Sequence, residues 1–314
     1  MHVLVLAGGL SAERDVSLRS GRRVAEALRV ERPDWEVLEA DVDAGLLDRL
    51  RTHRPDCIVP LLHGAAGEDG ALRDLLEALT IPFVGSGAAA SRLAFDKPIA
   101  KELVTQAGLR TPQCVAMPQS TFRELGAAAV LDAVVERLGL PLVVKPTRGG
   151  SSLGTAIVHS AVDLPSAMVG AFAYGDVVLM EQYVAGTELA IGVFEQDGDL
   201  LALSAVEIVP EGELYDYAAR YTAGTTEFFC PARLDDETAE RAQAVALNAH
   251  LLLGLRDLSR TDVIVDSDGV PWLLEVNVAP GMTETSLFPQ ALSAAEVSLG
   301  SVIAQLVESA VERA

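Results

Sequence analysis

Two rhythms of apolar and polar positions alternate along the chain. Short apolar runs at Val3–Leu6, Trp35–Ala40 and Cys57–Leu62 predict buried strands, and Ser11 to about Leu28 carries the helical spacing between the first two. IPFVGSG (Ile81–Gly87) closes this first unit, which reads as a parallel α/β domain. Asp96 is placed to cap a further helix, with Pro98 near its first position and Gly108 past its end. LPLVVKPTRGGSSLGTAIV then reads as strand, glycine-rich loop and strand, and Val177–Phe194 as two strands about a turn at Ala185-Gly186. After a strand at Ala202–Val209 comes Glu211–Pro231, polar, rich in tyrosine, and longer than a connector in a compact domain needs. Such loops are lids or disordered segments. An amphipathic helix follows over Asp235–Leu253, and a helical tail from about Leu292 shows Ile303, Leu306, Val307, Ala310 and Val311 on one face.

The stretch from Arg260 to Leu287, RTDVIVDSDGVPWLLEVNVAPGMTETSL, organises the rest. Two β-prone runs, Thr261–Asp266 and Val270–Asn277, flank Asp268-Gly269, a pair that favours a two-residue type I′ turn. In that register Asp262 lies opposite Glu275, with Asn277 and Arg260 further along the same face, and the other face reads Val263, Val265, Trp272, Leu274 and Val276 as core. Facing carboxylates destabilise a sheet unless a cation lies between them. Two carboxylates and an amide oxygen form a hard donor set suited to Mg²⁺ or Mn²⁺. A solvated hairpin face with scattered charge is the other reading of these residues.

Composition narrows the field. The chain has 314 residues, half of them apolar with only 5% aromatic, so Ala, Val and Leu must build its cores. A formal net charge of −21 argues against nucleic acid or an anionic membrane as partner. Cys57, Cys114 and Cys230, odd in number and far apart, read as reduced thiols. The apolar start MHVLVLAGG lacks a basic leader and runs into Glu13, Arg14 and Asp15, so it is expected to be a first strand in a cytoplasmic protein. No apolar run approaches the ~20 residues that span a bilayer.

The polar residues at the predicted element ends suggest a chemistry. Strand, Gly8-Gly9 turn and helix aim backbone amides at an anion, but the spacing is not GxGxxG, which counts against a dinucleotide-linked oxidoreductase. Glu13, beside those amides, either favours the helix dipole or binds a substrate amine. His63 opens HGAAGEDG at a strand's carboxyl end, where open α/β sheets hold ligands. Lys97 stands at a helix start. Lys145 precedes the loop holding Ser151 and Ser152, which lacks the Walker A pattern yet resembles loops whose amides fold over phosphates. The Glu181–Val184 link is suited to an adenine edge and Glu188 to ribose hydroxyls. These parts compose a nucleotide-and-metal enzyme with two ligands meeting at a domain cleft.

The succession GGLSAERDVSL, HGAAGEDG, Gly85–Lys97, KPTRGGSSLG, YDYAARY, RTD and LEVNVAPGM…SL resembles the D-alanine–D-alanine ligases of the ATP-grasp fold over essentially the whole chain. The resemblance implies an N-terminal substrate-binding domain over 1–87, a central ATP-grasp domain over 88–181 and a C-terminal one over 182–314. It implies activation of one D-alanine by ATP as an acyl phosphate and attack by the amine of a second, in a cytoplasmic homodimer that supplies peptidoglycan precursors. By the same likeness Glu13 holds the first ammonium and orients Ser151 and Tyr221, clamping phosphate loop to lid, and His63 lies near the first carboxylate. Arg260 and the Gly281 amide stabilise the oxyanion, and Ser286 and Leu287 bind the second D-alanine. Asp262, Glu275 and Asn277 hold two Mg²⁺ or Mn²⁺ ions, while Lys97, Lys145, Ser152, Glu181, Gln182, Val184, Glu188 and Arg220 hold ATP. Three positions depart from the usual pattern: Gln182 and Arg220 each replace a frequent Lys, and Thr285 a frequent His. A D-lactate or D-serine variant and a non-catalytic nucleotide-binding relative are the alternatives.

Overall fold

The computed structural model describes every residue except Ala223, and the side chains of Ala66 and Tyr221 lie outside that description. Its thirteen described strands fall into three sheets that follow one another along the chain. The first is parallel: β1 (His2–Ala7) lies between β2 (Glu36–Asp41) and β3 (Cys57–Pro60). The second contains β4 (Cys114–Pro118), β5 (Leu142–Pro146), β6 (Ala156–Val158) and β7 (Val177–Gln182), antiparallel in the order β4-β7-β5-β6. The third holds β8 (Thr187–Gln196), β9 (Asp199–Ala202), β10 (Val206–Pro210), β11 (Thr226–Phe229), β12 (Leu258–Val265) and β13 (Pro271–Asn277). Its path is β11-β10-β8-β12-β13, with β9 beside β8.

The first helix, Arg14–Glu31, buries Ser17, Ser20, Gly21, Val24 and Leu28. Gly21 is required for that packing, since a Cβ there would stand 2.5 Å from the Cβ of Ala7 on β1. The closing helix, Leu299–Glu312, buries Ile303, Leu306, Val307 and Ala310 against the first helix and β3. One core therefore joins the two ends of the chain: Val3, Val24 and Leu28 share it with Phe288, Ile303 and Leu306. Asp96 caps the helix Lys97–Gln106 by accepting the Ile99 amide, and Asp235 caps Asp236–Leu252 by accepting that of Thr238.

The hairpin differs from its expected geometry in an instructive way. Three residues, Ser267, Asp268 and Gly269, turn the chain: Gly269 N–H donates to Asp266 O and Asp266 N–H to Val270 O, both at 3.0 Å, with Gly269 at φ +71. This longer loop pairs Val263 with Leu273 and Ile264 with Trp272, one residue off the two-residue register. A bulge at Leu274 then restores the offset, so Asp262 pairs with Glu275 and Arg260 with Asn277. The core face is corrected accordingly. Leu273 is fully buried with Val263, whereas Leu274 turns into the cavity beside Glu275, and Trp272 bonds Asp266 through its indole. The Glu211–Pro231 segment is likewise not structureless, since it contains the short helix Tyr217–Tyr221 and β11.

Candidate functional site

A cavity of about 440 Å³ lies between the second and third sheets. Apolar side chains reach into it from both walls, Val143 and Ile157 on one side, Ile264 and Leu274 on the other. A planar ring would contact apolar surface on both faces there. Lys145, on the strand before the glycine-rich loop, is buried against Glu181 at 2.6 Å, and Glu181 also meets Lys101 at 2.8 Å. Burial by itself raises the Glu181 carboxyl, but the two ammonium groups more than offset it and keep the group ionised. Lys101 was absent from the expected site. Its signal was present in the sequence, since it follows Lys97 by one helical turn and so shares its face.

Lys97 Nζ donates to Gly149 O at 2.8 Å and pairs with Glu275 at 3.2 Å, tying phosphate loop to hairpin. Within that loop Ser151 and Ser152 both adopt positive φ, +52 and +54, a conformation side-chain-bearing residues adopt at a cost when the surroundings hold them. Ser151 is held by its hydroxyl, which donates to Glu13 Oε1. Ser152 Oγ donates to Tyr215 O at 2.9 Å and accepts from Arg220 at 3.2 Å, and the Arg220 guanidinium stacks over the Tyr215 ring. Phosphate loop and lid segment are thus already joined. The side chain of Tyr221, expected in the same clamp, lies outside the described residues. Gln182 donates to Leu138 O at 3.1 Å from the cavity wall, and Val184 lines the same wall. Glu188 is half-buried on the same cavity wall, and desolvation lifts its carboxyl to about 7.

A smaller cavity, about 80 Å³, adjoins the first, and Lys97, Gly149, Gly150, Tyr215, Arg220 and Glu275 border both. Glu13, His63, Glu68, Arg260, Gly281 and Ser286 line it further in. Glu13 and Glu68 bracket Gly64: Glu68 Oε1 accepts the Gly64 amide at 2.7 Å, and a Cβ on Gly64 would stand 2.9 Å from Glu13 Oε2. Burial, then the neighbouring Glu13, push the Glu68 carboxyl up to about 8. Glu68 is not singled out by its sequence, being one of two adjacent carboxylates in HGAAGEDG. His63 lines this cavity, yet both its ring nitrogens bond within the protein, Nδ1 to Ala279 O and Nε2 to Ser20 Oγ. Ser286 Oγ accepts the Thr283 amide at 3.0 Å, Leu287 is buried behind it, and Thr285 stands on the same rim.

Arg260 lies against Asp262 in a fork, Nε to Oδ1 at 2.7 Å and Nη2 to Oδ2 at 2.8 Å. Its burial opposes the charged form, but Asp262 outweighs that and raises the guanidinium pKa. Glu275 is half-buried, which favours its neutral form, yet Lys97, Lys145, Arg220 and Arg260 hold its carboxyl down to about 2. Asn277 Oδ1 accepts the Ala279 amide at 2.8 Å. Among the described residues no three His, Cys, Asp or Glu side chains cluster tightly enough to hold a metal by themselves. The two carboxyl groups and one amide oxygen, all hard oxygen donors, suit a divalent cation that also takes oxygens from a phosphate ligand.

A nucleotide-sized slot between two antiparallel sheets, bordered by a glycine-rich loop and adjoining a second polar cavity, defines an enzyme of the ATP-grasp fold. The family described as D-ala D-ala ligase C-terminus matches residues 103–308. Over 312 residues the chain is 39% identical to a D-alanine--D-alanine ligase of Pelotomaculum thermopropionicum, covering 99% of this chain and 97% of that one. The solved D-alanine--D-alanine ligase from Bacillus anthracis superposes with a TM-score of 0.84 at 30% identity, covering 99% and 98% of the two chains. The VanG D-Ala:D-Ser ligase from Enterococcus faecalis gives 0.82 at 26%, covering 98% and 99%. The chain belongs to the D-alanine–D-alanine ligase family.

Proposed function

We propose that this chain joins two molecules of D-alanine at the expense of ATP, through an acyl phosphate, and so supplies the dipeptide for peptidoglycan precursors. The observation that carries this is the shared border of the two cavities, where Lys97, Gly150 and Glu275 stand between a nucleotide slot and an amino-acid pocket. A γ-phosphoryl group at that border would face the carboxylate of a D-alanine whose ammonium meets Glu13. Lys97 and Lys145 would offset the phosphate charge, and transfer would need little beyond such positioning. Attack by the second amine puts negative charge on the acyl oxygen, which Arg260 and the Gly281 amide are placed to stabilise, a contribution worth about 3 kcal/mol per donor in comparable sites. Ser286 and Leu287 would hold the second D-alanine.

Asp262, Glu275 and Asn277 would hold two Mg²⁺ or Mn²⁺ ions, which would supply neutralisation of phosphate charge. On this reading residues 1–87, 88–181 and 182–314 act as three domains, and the enzyme is a cytoplasmic homodimer, both by analogy with the family. Closure of the Glu211–Pro231 lid keeps water from the acyl phosphate. Hydroxyls of Thr283 and Thr285 on the rim of the second pocket favour one further reading, in which D-serine or D-lactate takes the second place.

Phosphate release from Mg-ATP, with D-alanine alone and with D-serine or D-lactate beside it, tests the proposal. D-Alanyl-D-alanine from D-alanine alone, lost by at least a hundredfold in Glu275→Gln, is the expected result. A mixed product in excess moves the error to Thr283 and Thr285, and no D-alanine-dependent phosphate overturns the ligase reading.

A further inference from the structure

Ser20 lies on the inward face of the first helix and is wholly buried. A helical serine ordinarily turns its hydroxyl to solvent or back to its own helix's carbonyls. Here the hydroxyl instead meets two groups distant in sequence, His63 Nε2 at 3.2 Å and the Met282 amide at 3.0 Å. The directions of these bonds follow from chemistry. Ala279 O, 3.0 Å from His63 Nδ1, accepts only, so Nδ1 carries the ring proton. Met282 N–H donates only, so Ser20 Oγ accepts there, and with a neutral ring, whose Nε2 can only accept, the serine proton goes to His63 Nε2. The chain therefore runs from Met282 N–H to Ser20 to Nε2, and from Nδ1–H to Ala279 O. It requires a neutral imidazole in the Nδ1–H form. Burial, with Arg260 adding to it, holds the ring's pKa down to about 4, which is consistent with that form.

Gly281 lies between the two anchored residues. The carbonyl of Ala279 is held by His63, and the amide of Met282, immediately after Gly281, by Ser20. Arg23, one turn along the helix from Ser20, donates to the carbonyls of Met282 and Thr283. Ser20 and Arg23 from the helix and His63 from the loop after β3 thus grip the segment together. A peptide bracketed in this way keeps its orientation when charge develops on a substrate, and preorganisation of that kind is where oxyanion donors derive their effect.

We infer that Ser20 is a positioning residue for the ligation, fixing the Gly281 peptide through the Met282 amide and through His63. The inference rests on the oxyanion role proposed above for Gly281. It also recasts His63: with both nitrogens engaged inside the protein, the ring orients the loop and leaves the first carboxylate to other groups.

The experiment has two arms. Nitrogen NMR of the imidazoles in the ligand-free enzyme, assigned with His63→Asn, reads the tautomer directly. Expected is protonated Nδ1 with unprotonated Nε2 near neutral pH, and protonated Nε2 overturns the bond chain whatever the enzyme does. In the second arm Ser20→Ala should lower kcat by about tenfold, a fraction of the effect of losing an oxyanion donor outright. It should weaken binding of a tetrahedral phosphinate analogue of the dipeptide by a similar factor, with KM for ATP within twofold of the parent. Ser20→Cys, whose thiol is a weak donor and acceptor, should fall between, and it carries this arm if the alanine variant does not fold. A lowered melting temperature with kcat and analogue affinity unchanged overturns the inference, because a purely structural serine would do only that. Absence of D-alanine-dependent turnover in the parent enzyme would count against the ligase reading instead, and the nitrogen spectrum would still decide the bond chain.

Discussion

At the scale of single residues, the site is built from charged groups held away from water, and their environments set opposite protonation states. Glu275 stays ionised because four cations surround it, while Glu68 is pushed to about 8 by burial and by Glu13, which outweigh Arg73 and Lys97. The sign of the resulting pH dependence is definite. An unfolded Glu68 loses its proton near 4.5 and the folded one near 8, so across that window the folded state binds more protons and rising pH disfavours it. Glu68→Gln removes this term. The variant should gain stability over the parent as pH rises from 5 to 8, by up to roughly 1.4 kcal/mol per pH unit. Melting temperatures of both proteins at the two ends of the range, without ligands, check this; a constant difference would refute it.

At the scale of elements, the helix Lys97–Gln106 and the hairpin of β12 and β13 act as one unit. Lys97 reaches Glu275, while Lys101 bonds Glu181 and Thr111 Oγ1, and Thr111 in turn donates to Leu273 O at 2.8 Å. Lys101→Met leaves Glu181 to Lys145 alone and cuts the tie to the hairpin. Because buried polar networks lose more than one bond when a member is removed, nucleotide affinity measured by calorimetry should fall about tenfold, with the KM for D-alanine little changed. Equal nucleotide affinity in the variant would show that Lys145 needs no such support. The hairpin shows how far periodicity carries: a two-residue turn and a three-residue turn with a bulge both place Asp262 opposite Glu275, and only the second places Leu274 in the nucleotide slot.

At the scale of the whole molecule, the two ends of the chain meet. Asp257 is fully buried, takes Arg313 at 2.7 Å and accepts the Gly85 amide at 2.6 Å, so one carboxylate joins the C-terminal segment, the third sheet and the end of the first unit. Breaking a buried pair by removing one partner costs about 3–5 kcal/mol, and Arg313, a third exposed, places this one below that range. Arg313→Gln should lower stability by about 2 kcal/mol in urea unfolding, while Arg313→Lys should recover part of the loss. Among the described residues no single helix is long and apolar enough to cross a membrane.

Much of this was legible in the residues themselves. Capping Asp96, the parallel first unit, the facing pair Asp262 and Glu275 and the cations Lys97 and Lys145 follow from local pattern, because caps, strand alternation and hairpin register depend on near neighbours in sequence. Lys101, Glu68 and Ser20 do not stand out in that way. Each owes its role to partners far along the chain: Lys101 to Glu181, Glu68 to the nearby Glu13, Ser20 to Met282. Burial and electrostatics depend on what folding brings within a few ångströms, so local order determined the elements and their motifs. Tertiary structure alone decided which carboxyls keep their protons, which face of the hairpin meets the nucleotide slot, and which serine holds the loop.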